Sequence, residues 1–130
     1  MSVFTEVLGE MVNRLLNDPG VSALVGTRVF SLTPQDTALA YIKVKSRSDE
    51  SDTKTTDGFR DIITIDMWTD DESLKGVDDI ADAVYASMQN KPYTGLSLKS
   101  LCLQYQNYNT FIEPDNISTH GVMTFLHLYS

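Results

Sequence analysis

Apolar and polar positions along this chain follow two rhythms, one of helix faces and one of half-buried strands. Phe4, Val7, Leu8, Met11 and Leu15 recur at the spacing of one helical face, with Glu6, Glu10, Asn13 and Arg14 on the other. Ser2 can cap the start of this helix. Asn17-Asp18-Pro19-Gly20 stops it, because proline cannot continue the hydrogen-bond ladder. Val21 to Val25 reads as one apolar helical turn ended by Gly26, and a brief strand is expected at Arg28 to Ser31.

From Leu39 to Lys45 the period changes to two: Ala40, Ile42 and Val44 on one face, Tyr41, Lys43 and Lys45 on the other. Phe59 to Thr69 repeats it, with Ile63, Ile65 and Met67 toward the core and Ile62, Thr64, Asp66 and Trp68 opposite. Thr69 and Glu72 have the spacing of a capping box for a second helix. Its stripe is Val77, Ile80, Ala81, Val84, Tyr85 and Met88, with Asp78, Asp79 and Asp82 on the wet side and an end at Asn90 to Gly95. Leu96 and Leu98 then share one parity and Leu101, Leu103 and Tyr105 the other, which predicts a bulge near Lys99-Ser100. A turn near Glu113 to Asn116 leads to a last strand, Val122 to Tyr129. Strands that follow strands directly predict an α+β fold: one domain over residues 1–130, with an antiparallel or mixed β-sheet of about five strands and two helices packed on one face.

One segment fits neither rhythm. Ser46 to Gly58, SRSDESDTKTTDG, has no apolar side chain, yet it joins two neighbouring strands that a few residues would connect. It reads as a polar hairpin arm at 46–58, unable to order itself by burial and able to order on a partner. Its charged residues Arg47, Asp49, Glu50, Asp52 and Lys54 are candidate partner contacts.

Composition narrows the function. The length supports a core without metals or disulfides, and the lone Cys102 agrees with a reducing compartment. No basic-then-apolar leader opens the chain and no apolar run reaches membrane length, so a soluble protein without membrane partners is expected. The formal charge of −8 opposes sequence-specific nucleic-acid binding, though a surface that DNA slides past should repel phosphates.

Candidate chemistry is sparse. His120 and His127, seven residues apart in a strand, point to opposite faces and share no metal. Cys102 falls in an apolar strand, where a thiol is a small hydrophobe rather than a nucleophile. There is no Gly-rich phosphate cradle and no Gly-x-Ser-x-Gly. Acidic clusters at Asp49 to Asp52, Asp70 to Glu72 and Asp78, Asp79, Asp82 fit solvated faces and a helix N-terminus, with a metal-dependent hydrolase as the alternative use. No catalytic residue, metal or cofactor is therefore assigned. What remains is surface: Trp68 opposite the core stripe, and a second aromatic group of Tyr105, Tyr108, Phe111 and Ile112 near a strand turn.

The amphipathic first helix, Leu24-Val25-Gly26-Thr27-Arg28-Val29-Phe30, Ile65-Asp66-Met67-Trp68-Thr69, the second helix, and Asp115 followed by Thr119-His120-Gly121-Val122-Met123-Thr124-Phe125 come in an order with a known counterpart. It resembles the small tail-completion, or tail-terminator, proteins of long-tailed bacteriophages, departing at Leu39-Ala40-Tyr41-Ile42, where a proline would precede the aromatic. The resemblance implies a non-enzymatic virion protein assembled in the host cytoplasm. It would form a homo-oligomeric, typically hexameric ring on the last ring of tail tube protein and face the head-completion protein of the connector. Genome DNA would pass through its central hole without sequence-specific contacts. A head-completion or other minor tail protein is the alternative within the same class.

Overall fold

In the computed structural model, the structure describes residues 3–31, 40–49, 59–70, 74–91, 100–112 and 118–129. Helix α1 is Val3–Leu16, α2 Pro19–Val25 and α3 Lys75–Met88; the strands are β1 Val29–Phe30, β2 Tyr41–Asp49, β3 Phe59–Thr69, β4 Ser100–Ile112 and β5 Thr119–Tyr129. They form one mixed sheet in the order β1-β2-β3-β5-β4, antiparallel except for the parallel pair β1–β2. The expected α+β layer is present, with three helices among the described residues rather than two.

The added helix is α2. Asp18 caps it, its Oδ1 accepting from the backbone N–H groups of Gly20 at 2.8 Å and Val21 at 3.1 Å, and Pro19 sits where no N–H is needed. The residues that stop α1 therefore also start a second helix. Gly26 ends α2 with φ of 61°, a backbone conformation that side chains with a Cβ resist.

Both sequence rhythms reach one core. Val7, Met11 and Leu15 of α1, and Val77, Ile80, Ala81, Val84 and Met88 of α3, pack on the sheet face formed by Ile42, Val44, Ile63, Ile65, Met67, Leu103, Met123 and Phe125. Tyr85 departs from the expected stripe and is exposed, because its ring leans outward against Tyr105. Glu72 of the expected capping box lies outside the described residues, and Thr69 does not stand next to α3. Thr69 remains in β3 and its hydroxyl meets the Thr119 hydroxyl across the ladder at 2.6 Å, while α3 begins after Leu74 with no side-chain cap. At the other end of α3, Asn90 takes a positive φ of 57° and its N–H donates to Leu103 O at 3.0 Å, tying the helix to the sheet.

Strand β2 runs on through Ser46–Asp49, paired with β3 as far as Asp49 opposite Arg60. The first residues of the expected arm thus belong to the ladder, and the rest lies outside the described residues. In β4 the register slips twice, between Ser100 and Cys102 and between Tyr105 and Asn107, leaving Leu101 and Gln106 as the extra residues. The first slip lies beside the bulge expected at Lys99-Ser100. The second reverses the parity of the strand, with a consequence for its tyrosines.

The core face also holds a polar pair. Asp61 and His127 are cross-strand partners of β3 and β5, and both are fully buried. Burial pushes His127 down to about 4 from its ordinary 6.5; Asp61 opposes that shift and Arg14 of α1 adds to it. This histidine is held neutral inside the protein.

Candidate functional site

With the helices on one side, the even positions of β3 and their neighbours form the opposite face of the sheet. Register places Tyr41 of β2 beside Trp68 of β3, Trp68 beside His120 of β5, and His120 beside Phe111 of β4. The rings meet in a row. Tyr41 and Trp68 stack at 4.9 Å and 23°, and Trp68 and His120 at 4.3 Å and 9°. Phe111 lies 5.8 Å from His120, and Phe30 of β1 lies 6.3 Å from Tyr41. Every strand therefore contributes one ring to a band that crosses the whole sheet. Such cross-strand aromatic contacts stiffen a sheet face and give it a broad apolar surface with few rotors.

Asp66 flanks the band, one cross-strand row away on the same face. Its carboxylate is only 4% exposed, with Oδ1 accepting from His120 Nε2 at 2.9 Å and Oδ2 forming an ion pair with Lys45 Nζ at 3.0 Å. The Lys45 contact lies off the hydrogen-bond direction, whereas the His120 contact is aligned. The edge of the imidazole is thus fixed by Asp66 and its face by Trp68. One ring of the band is anchored to a buried carboxylate.

Of the residues singled out from sequence, Trp68 and Phe111 come together here, joined through His120. Tyr105 and Tyr108 do not: the bulge at Gln106 puts both on the helix-bearing face, where they pack against the core cluster. The second aromatic group expected near the strand turn is therefore divided between the two faces. Arg47 and Asp49 lie in β2 opposite Ile62 and Arg60, whereas Glu50, Asp52 and Lys54 lie outside the described residues. Tyr41, Asp66 and His120 were not singled out. They lie on three different strands, and only strand order and register make them neighbours. His120 and His127 do lie on opposite faces, and Cys102 is half-buried on the aromatic-bearing face opposite Leu128. Among the described residues, no group of three or more His, Cys, Asp or Glu side chains is placed to hold a metal ion, and Asp70 is exposed.

Comparison with known proteins adds identity to this geometry. A chain from the virion of a native gene transfer agent particle shares the fold, with a TM-score of 0.82 and 17% identity over 92% of this chain and 90% of that one. Among curated protein sequences none matches. The family described as tail completion protein gp17 matches residues 9–130. Because that match runs through nearly the whole chain, the protein belongs to the tail completion protein gp17 family, a structural family of bacteriophage tails.

Proposed function

We propose that this chain is a non-enzymatic tail terminator. In this reading it forms a ring, typically hexameric, on the last ring of tail tube protein, stops tube growth, and offers its other side to the head-completion protein of the connector. The family match over residues 9–130 carries this reading. The aromatic band on the helix-free face supports it as an assembly surface, since stacked rings give area at low entropic cost. The formal charge of −8 suits a protein whose central hole lets DNA through without holding it. The polar stretch at residues 50–58, with Glu50, Asp52 and Lys54, supplies in this reading a contact element for a neighbouring subunit.

Electron microscopy of the purified protein mixed with polymerising tail tubes tests the proposal. Caps at one tube end with shortened tubes support termination. Bare ends and unchanged lengths sink it, and capture by portal rings with no tube binding would instead assign head completion.

A further inference from the structure

A second surface lies between α3 and the edge strand β4, on the face opposite the aromatic band. It is a groove of about 540 Å³, lined by Asp78, Asp82 and Tyr85 from the helix and by Tyr105, Tyr108 and Met123 from the sheet. The bulge at Gln106 makes it, since residues 105 and 108 of an unbroken strand would point to opposite faces. Tyr85 sets its ring edge-on to Tyr105 at 5.4 Å and 75°, and Tyr108 OH donates to Asp78 Oδ1 at 2.8 Å. Burial and that hydrogen bond both raise Tyr108 above the ordinary tyrosine range, so its hydroxyl remains a donor.

The charges in this groove are not balanced from within. Asp78 and Asp82 stand four residues apart on α3, the spacing at which like charges repel. No described lysine or arginine pairs with either. Lys75 pairs with Asp79 and Lys45 with Asp66, while Arg14, Arg28 and Lys91 donate to the backbone carbonyls of Lys91, Ala40 and Ala86. Two carboxylates without an ion-pair partner among the described residues, beside three tyrosine rings, form a receptor for a cation that has an apolar face.

We propose that this groove binds the guanidinium of an arginine carried by a basic partner protein. The planar cation lies against the rings of Tyr85 and Tyr105 and donates sideways to Asp82 and to the second carboxylate oxygen of Asp78. A lysine ammonium offers no plane to stack and no fork for a carboxylate, so arginine is favoured. A basic chain fits better than the same face of a second copy, because Asp78 and Asp82 of two such grooves would repel each other. This site is independent of the tail-termination reading, which rests on the family match and the other sheet face.

The test is an NMR titration of the full chain with N-acetyl-arginine methylamide. Saturable shifts of the Tyr85 and Tyr105 ring signals are expected, with a dissociation constant of roughly 1–10 mM, as befits a single side chain. The citrulline analogue, matched in shape but uncharged, should give no saturable shift at the same concentrations. Asp82→Asn and Tyr85→Leu, both on the exposed side of α3, should each weaken binding about fivefold or more while leaving backbone amide signals elsewhere unchanged. Equal shifts from arginine and citrulline, unchanged binding in Asp82→Asn, or no shift at all would overturn the proposal. Concentration-dependent shifts at these tyrosines without ligand would assign the groove to a second copy and overturn the basic-partner reading.

Discussion

A Cβ built on Gly121 would lie 2.7 Å from Val77 Cγ2, so β5 and α3 approach each other as closely as their atoms allow. The same Cβ would stand 3.1 Å from the ring of Tyr108. Gly121→Ala should therefore force α3 off the sheet and cost about 1–3 kcal/mol, read as a lower urea midpoint with an unchanged m-value. Adding Val77→Ala should return part of that loss. Two costs that simply add would show that the contact is not the cause.

The buried histidine gives a pH dependence with a definite sign. In the unfolded chain His127 takes up a proton near its ordinary 6.5, whereas in the folded protein it resists until about 4. Between these values the unfolded state holds more protons, so stability is full above the window and declines as pH falls through it. A loss of about 3 kcal/mol from this group is expected across the window. Urea unfolding of the parent and of His127→Gln at a series of pH values checks this. The variant should start lower and fall less steeply, and parallel curves would remove His127 as the source.

Asp66 supports the aromatic band from its flank. Asp66→Ala should cost about 1–3 kcal/mol, since it removes the partner of His120 and of Lys45 at a buried position. It should also loosen the stack, which the emission of Trp68, the sole tryptophan, reports directly. Unchanged emission alongside lost stability would mean the band holds itself in place.

Trp68→Ala distinguishes assembly from folding. The ring lies between Tyr41 and His120 on the helix-free face, outside the core. Ring formation or tube binding, followed by sedimentation, should weaken by tenfold or more, with a smaller effect on unfolding. Equal effects on both would assign the ring to stability alone.

Removal of Ser51 to Thr56 would leave Glu50-Asp57-Gly58 to join β2 and β3, a three-residue connection ending in a favoured turn dipeptide. The thermal midpoint should stay within a few degrees of the parent, while tail joining is impaired. A large fall in the midpoint would make the segment part of the folded body.

Much of this fold is readable in the chain because half-burial imposes a period. The face of α1, most of the α3 stripe and the alternation in β2, β3 and β5 are each recorded in local sequence. Strand order is not local. Tyr41, Trp68, His120 and Phe111 are far apart in sequence and become one surface only through the order β2-β3-β5-β4. The division of Tyr105 from Phe111 depends on a single extra residue, Gln106, inside an otherwise regular strand. Thr69 shows a different limit of local reading: its hydroxyl takes a partner in Thr119, fifty residues away, which no local spacing records.

The two extra residues of β4 also bear on how large an assembly this protein can join. β4 is an edge strand of 13 residues, and a straight edge of that length would be a template for another chain to add strand upon strand. Leu101 and Gln106 interrupt the edge at two points and bend it out of register with any regular partner. Backbone pairing across copies along this edge is thereby discouraged. An edge interrupted twice is a poor template for lengthening a sheet from one copy to the next.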